Sequence, residues 1–259
     1  MEFSGPTSFA LRNNNATYKA SRETTLCTQI AAKQPLALSL AKRVKTCHFT
    51  HWDNDQGWAV RPFVEKYLSG MVHMTNICQL KFSDSFVDKE HWDAIATLQS
   101  LQDLSFDWCK FLRGPADAEP EKRVKLRVSR LQVTKCVAHC QAFAAIDPRY
   151  LRTLAVDHDV VVSDYIDWLP KSALTEFIIH LGHVSWVANK EYIKQTHAML
   201  MQAPQSIEAL SLPLGVHTGS AQGRIRSMFH GPAWKNLPLL RSLTLDIRLS
   251  QGLYITYVS

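Results

Sequence analysis

Apolar residues return at one spacing along most of the chain. Residues 101–109 have the form L-x-x-L-x-F-x-x-C, in which apolar and polar positions alternate after the first residues. Such alternation predicts a short strand with one buried face. When any apolar residue is accepted at the three marked positions, the frame L-x-x-L-x-L begins at Val44, Ile77, Leu101, Val128, Leu151, Leu174, Ile207 and Leu240.

The eight frames start 33, 24, 27, 23, 23, 33 and 33 residues apart. A frame of this form that returns every ~20–29 residues is typical of leucine-rich repeats, in which each unit supplies one strand and one return segment. Four intervals lie in that range and three are longer. The sequence therefore predicts an α/β fold, an irregular leucine-rich-repeat solenoid (horseshoe) with a parallel concave sheet and with helices on the convex side.

The intervals between the frames carry the return segments. Residues 58–68 show helical spacing of apolar residues, and residues 85–98 predict a helix that begins near Asp88. Short apolar faces follow the fourth and fifth frames, a longer one follows the sixth, and another follows the seventh, whereas residues 114–120 predict a loop. Proline precedes four later strands, where it ends the return segment and favours extended backbone, at Pro148, Pro170, Pro204 and Pro238.

The same pattern divides the chain into segments. Residues 1–22 are polar and turn-rich, which predicts a disordered N-terminus, and residues 23–43 predict a helical N-terminal cap. A solenoid needs such a cap because its terminal unit would otherwise expose the core. Residues 44–249 form the predicted repeat domain of about eight strand–helix units. Residues 250–259 alternate again and predict a C-terminal tail or edge strand.

Composition and charge narrow the function classes. The 259 residues are 46% hydrophobic and 20% charged, with a net charge of +6 and a pI near 9.0. The basic residues are scattered, so no nucleic-acid interface is predicted. No window approaches the ~18 apolar residues of a membrane-spanning helix. No signal peptide is recognisable either, so we expect a cytoplasmic or nuclear location and no membrane partner.

Six cysteines are spread without a paired spacing, which favours reduced thiols inside the cell. Cys136 and Cys140, with His139 between them, lack the second ligand pair that a zinc site commonly has. Cys109 and Cys136 occupy the place where the repeat has Asn or Cys, and there the side chain satisfies backbone groups at the turn out of the strand. An enzyme that uses His158, or Cys136 with His139, is one alternative.

Histidines give no clearer catalytic signal. His158 lies between two aspartates, and the pairs His48/His51 and His180/His183 have an x-x spacing. No motif places a nucleophile near His158, and the G-x-S-x-G and H-E-x-x-H signatures are absent. We therefore predict a protein that is not an enzyme and has no catalytic residue, no metal ligand and no cofactor.

Residues between the frame positions point away from the core, onto the concave face of the predicted sheet. They are polar in most units, and both signs of charge occur among them. Such a face suits a protein partner. The candidate partner-binding residues on the concave face are Lys81, Asp103, Asp107, Arg130, Gln132, Asp157, Glu176 and His180.

Three stretches carry a resemblance to a known family. Residues 39–49 read SLAKRVKTCHF, residues 151–156 read LRTLAV and residues 237–245 read LPLLRSLTL. These phrases resemble those of the repeat region in fungal F-box proteins, notably those of mushroom-forming fungi. The resemblance covers roughly residues 24–249.

The resemblance implies a function. In F-box proteins the repeats hold a protein substrate, and an N-terminal F-box binds the Skp-type adaptor of a cullin–RING ubiquitin ligase. The chain would then be a non-enzymatic interaction module, the substrate-recognition repeat domain of an F-box-type protein. Residues 1–42 contain no Leu-Pro-x-Glu helix opening, so adaptor binding is expected only if an F-box is present. The alternatives are an independent leucine-rich-repeat scaffold or regulator without ligase association, and a truncated F-box paralogue.

Overall fold

The computed structural model describes residues 2–4, 22–52, 61–117, 125–137, 140–157, 169–180, 190–216, 229, 232–249 and 254–258. The strands in these ranges are β1 Glu2–Ser4, β2 Thr46–Trp52, β3 Gln79–Val87, β4 Asp103–Asp107, β5 Lys110–Phe111, β6 Arg130–Thr134, β7 Thr153–Asp157, β8 Glu176–His180, β9 Ala209–Val216, β10 Ser242–Leu249 and β11 Tyr254–Val258. The helices are α1 Arg22–Ala31, α2 Pro35–Ala41, α3 Arg61–Met71, α4 Lys89–Ala96, α5 Cys140–Ala145 and α6 Lys190–Gln202.

The chain divides into two compact units. The first contains residues 1–128 and 136–146, and the second contains residues 129–135 and 147–259. In the first unit, β1, β2, β3 and β4 lie side by side in sequence order and are parallel. Leu80 of β3 is opposite Cys47 and Leu104, and the next frame position is occupied by phenylalanine in all three strands.

The second unit repeats this arrangement. Strands β6 to β10 are parallel and in sequence order, and β11 adds one antiparallel strand beside β10. One row of frame residues crosses all five parallel strands, formed by Leu131, Leu154, Phe177, Leu210 and Leu243. The predicted α/β fold with a parallel, leucine-rich-repeat-like sheet is confirmed in each unit, and the strands pair in the predicted register.

Stacked phenylalanine rings form the centre of the first core. The ring centres of Phe49 and Phe82 are 5.0 Å apart, and those of Phe82 and Phe106 are 5.5 Å apart. In each pair the two ring planes are inclined to each other by only 11°. Tyr67 of α3 meets Phe49 edge-on at 6.4 Å, and Trp92 of α4 lies 5.4 Å from Phe106. Helices α3 and α4 therefore pack on the face of the sheet that carries the frame residues.

Helix α4 begins where the sequence predicts, but the segment before it differs. Asp88 is the N-cap, and its carboxylate accepts from the N–H groups of Glu90 and His91 at 3.0 and 3.3 Å. Burial raises the pKa of Asp88, yet the hydrogen bonds from His91 and Glu90 bring that pKa below its ordinary value. Residues 85–87 belong to β3 and not to the helix, because Phe86 and Val87 pair with β5.

The termini also differ in part from the expectation. Residues 1–22 predict disorder, but Glu2–Ser4 form β1 and pair with β2; residues 5–21 lie outside the described residues. Helices α1 and α2 lie within residues 22–41, and β11 lies in the segment for which a C-terminal tail or edge strand is predicted. Most of the apolar faces predicted at residues 162–169 and 225–234 lie outside the described residues.

Substitution of two lysines by glycine is expected to have opposite effects on stability. Lys33 follows α1 with φ of 57°, and its N–H and that of Gln34 donate to the carbonyls of Ile30 and Gln29 at 2.8 and 3.0 Å. Because glycine adopts a left-handed conformation without strain, Lys33→Gly should raise the free energy of unfolding by about 0.5–1 kcal/mol.

Lys42 is the matched control, since it caps α2 with φ of −64°. Glycine there adds only backbone freedom to the unfolded chain, so Lys42→Gly should lower stability by about 0.5–1 kcal/mol. Urea unfolding of both variants measures the two changes. Equal signs would contradict the cap geometry.

Loss of the central ring of the stack should weaken the first unit strongly. Phe82 is fully buried between two other rings, so Phe82→Ala should cost about 3–5 kcal/mol in urea unfolding. Phe86 lies half-buried on the same strand, with Lys110 above its ring at 5.5 Å. Phe86→Ala is the control and should cost about 1 kcal/mol or less.

Candidate protein-binding face

The side of each sheet that carries no frame residues is called the polar face here. In the first unit it consists of three rows across β2, β3 and β4. The rows are Thr46–Gln79–Asp103, His48–Lys81–Ser105 and Thr50–Ser83–Asp107. All nine positions carry a polar side chain, because successive side chains of a strand point to opposite faces and the frame residues take the other one.

Hydrogen bonds link the first row across the strands. Thr46 Oγ1 donates to Gln79 Oε1 at 3.2 Å, and Gln79 Nε2 donates to Asp103 Oδ2 at 3.1 Å. His48 Nε2 and Ser83 Oγ are 3.0 Å apart on the neighbouring rows. These contacts orient the side chains before any partner arrives, which lowers the entropic cost of binding.

Three of the predicted residues come together on this face. Lys81 is opposite Ser105 of β4, so Asp103 and Asp107, two residues either side of Ser105, are its diagonal neighbours. All three side chains are half-buried. The centre of the face is therefore one ammonium group flanked by two carboxylates, an arrangement suited to a partner with both signs of charge.

The second unit places the other predicted residues on a less polar face. Arg130, Thr153 and Glu176 form one row, in which Thr153 Oγ1 donates to Glu176 Oε2 at 3.0 Å. The next row continues from Gln132 to Ala155 and Ile178, so its centre is apolar. Arg130 is exposed, as is His180 at the end of β8.

Asp157 was predicted to bind a partner, but it is buried, so this part of the predicted site is wrong. Only 3% of this residue is exposed, and its Oδ2 accepts the backbone N–H of Lys135. The carboxylate therefore holds the turn that follows β6 and does not present a charge to a partner. Sequence alternation places Asp157 on the correct face but does not show that this end of the strand is covered.

Three of the frames are followed by a turn with the same backbone conformation. Asp84, Trp108 and Lys135 each follow the last frame residue by two positions, and their φ values are 48°, 57° and 55°. At the next position, the N–H of Cys109 donates to the Sγ of Cys136 at 3.4 Å, and the thiol of Cys109 donates to a carbonyl two residues earlier at 3.5 Å. The backbone-satisfying role predicted for these cysteines agrees with this geometry.

Sequence reasoning missed Trp108. Its side chain follows Asp107 directly and is 51% exposed, and the exposed residues Leu112 and Val137 belong to the same unit. Val137 is 61% exposed and pairs with Lys110, the residue beside Phe86. The sequence did contain a sign of this exposure. Trp108 lies at a turn position that is occupied by the polar residues Asp84 and Lys135 in two other units. Exposed tryptophan is a frequent centre of binding energy in protein interfaces.

The remaining candidates are the histidines and cysteines considered for catalysis or metal binding. His139, His158 and His183 lie outside the described residues. Among the residues that are described, no group of three or more His, Cys, Asp or Glu side chains is placed to hold a metal ion. Burial raises the pKa of the Cys47 thiol to about 12, which keeps that sulfur protonated. Within the same described ranges, no helix is long and apolar enough to cross a membrane.

Comparisons with known proteins add little to this geometry. No family model matches the chain, and no significant match exists among curated proteins. Among solved structures, the chain is similar to the leucine-rich repeat-containing protein LegL7 from Legionella pneumophila, with 10% identity and a TM-score of 0.46 over 98% of this chain and 92% of that one. Those values are too low to carry an argument, so the fold assignment rests on the strand register.

Two aspartates of the predicted site should differ in their effect on stability. Asp157→Ala removes a buried acceptor and leaves the Lys135 N–H without it, so it should cost about 1–3 kcal/mol. Asp103→Ala, the matched change on the half-exposed part of the face, should cost about 0.5 kcal/mol or less. Urea unfolding distinguishes them, and equal losses would mean that Asp157 has no special structural role.

Proposed function

We propose that the chain is a non-enzymatic protein-interaction module whose polar face holds a protein partner. The observation that carries this proposal is the register of the first unit, which sets nine polar side chains in three aligned rows. A parallel sheet supported by helices on its other face supplies a rigid wall, and rigid walls bind with a smaller loss of entropy. Trp108, at the end of this wall, adds an exposed aromatic anchor.

We further propose that the partner is a substrate of a ubiquitin ligase and that the chain is the recognition domain of an F-box-type protein. Support for this part comes from the resemblance of residues 39–49, 151–156 and 237–245 to fungal F-box proteins. A cytoplasmic or nuclear location belongs to the same proposal. An independent repeat scaffold remains the second candidate, because residues 1–42 lack the Leu-Pro-x-Glu opening and the polar face requires no ligase.

Co-purification with a Skp-type adaptor separates these two candidates. The full chain is mixed with purified adaptor and the complex is sought by size-exclusion chromatography. A stable complex supports the F-box-type assignment. Failure to bind leaves the interaction module and removes the link to the ligase.

Charge reversal on the polar face tests the interaction module itself. Lys81→Glu replaces the central positive charge by a third carboxylate between Asp103 and Asp107, so a partner's negative group that faces Lys81 would meet a like charge. We expect capture of the chain's protein partners from cell extract, measured by quantitative mass spectrometry, to fall roughly tenfold. Trp108→Asn should cause a similar loss, since asparagine tolerates the left-handed backbone but removes the indole.

Lys194→Glu is the matched control. Lys194 is an exposed lysine on α6, and its reversal changes the net charge by the same amount without touching the polar face. Its capture profile should equal that of the unmodified chain. If Lys81→Glu and Trp108→Asn also leave the profile unchanged, the polar face is not the binding surface.

A further inference from the structure

A groove of about 650 Å³ lies between helices of the first unit, away from the polar face. Its lining includes the apolar side chains of Leu68, Val72 and Ala94 and the carboxylates of Glu65, Glu90 and Asp93. Leu68 and Ala94 are buried and form a floor, whereas the three acidic residues are exposed. The groove therefore combines an apolar base with an acidic rim.

Helical spacing explains why these residues share one groove. Glu65 and Leu68 of α3 and Val72, the residue that follows its last position, are three and four positions apart. The Val72 N–H still donates to the Leu68 carbonyl at 3.2 Å, so the three residues lie on one side of the helix. The spacing of Glu90, Asp93 and Ala94 gives the same result on α4. Each helix thus contributes both a carboxylate and an apolar side chain to the groove.

The sign of the charge indicates what the groove would bind. His73 is the one basic residue that lines it among the described residues; Lys66 and Lys89 are neighbours along the helices but are not part of the lining. The rim is rich in negative charge, although the whole chain carries a net charge of +6. Carboxylates above a low-dielectric floor attract and orient cationic groups.

The apolar floor narrows the occupant further. A simple metal cation needs oxygen ligands and gains nothing from Leu68 and Val72. A basic amphipathic helix satisfies both parts, since it lays apolar side chains into a groove and keeps its charged side chains at the rim. We propose that this groove docks a basic amphipathic segment of a partner protein. Lysine or arginine side chains of that segment pair with Glu65, Glu90 and Asp93.

This docking surface is separate from the proposed function, because it lies with α3 and α4 on the other side of the sheet from Lys81. A partner could therefore occupy it whether or not the polar face binds a substrate. Loss of one binding activity with retention of the other would separate the two proposals.

The test uses the full chain and a fluorescein-labelled peptide, Ac-KLLKALKKLLKALK-amide, followed by fluorescence anisotropy at low and at physiological salt. Two companion peptides replace every Lys by Glu or every Leu by Ser. We expect the parent peptide to bind, the Glu peptide not to bind, and the Ser peptide to bind roughly tenfold more weakly. Binding should weaken as salt rises, because the rim is exposed.

Two variants locate the site. Glu90→Gln/Asp93→Asn removes two rim charges and should weaken the parent peptide roughly tenfold while reducing its salt dependence. Ser69→Trp fills the groove without changing its charge and should weaken binding similarly; Ser69 is an exposed lining residue of α3. The control Asp84→Asn/Glu208→Gln removes the same number of charges elsewhere and should bind as the unmodified chain does.

Urea unfolding first establishes that each variant is folded, and if the rim variant is not, Ser69→Trp decides the question. The proposal is overturned if folded groove variants bind the parent peptide as tightly as the control variant. It is also overturned if the Ser peptide binds as tightly as the parent, because the floor would then contribute nothing and only a diffuse acidic surface would remain.

Discussion

The stacking of Phe49, Phe82 and Phe106 is the constraint on which the first unit depends. The rings can lie 5.0 and 5.5 Å apart only if the three strands stay in one register. A slip of one residue would turn every frame side chain to the opposite face, which makes any other register costly. The same requirement fixes the polar face, because aligned frame residues necessarily align the residues between them. Core packing and surface pattern are therefore one property of the sheet.

The sequence predicted the strands and their register, which each segment determines by its own apolar frame. The row from Leu131 to Leu243 lies at the expected positions because each strand carries its own apolar frame. Strand β1 and the extension of β3 to Val87 were not predicted. Both depend on partners distant in sequence, β2 for the first and Lys110–Phe111 for the second. Residues 85–98 contain apolar spacings that suit a helix, and tertiary pairing overrides that preference in the first three.

The candidate site also contains features that one segment determines and features that depend on contacts between distant segments. Lys81 and Asp103 lie on the expected face because alternation alone determines it. The burial of Asp157 follows from its contact with the Lys135 turn, and the exposure of Trp108 follows from a turn that the frame does not describe. The acidic groove needed the juxtaposition of α3 and α4, so no single stretch of sequence contains it.

The three left-handed turn residues have a further consequence. Glycine is the usual occupant of such a conformation, yet this chain has Asp84, Trp108 and Lys135 there. Three different residue types adopt the conformation at these positions, so it does not depend on one kind of side chain there. A carboxylate, an indole and an ammonium group are presented on the same local scaffold. The side chain at these three positions can therefore change without a change in the strands that precede them.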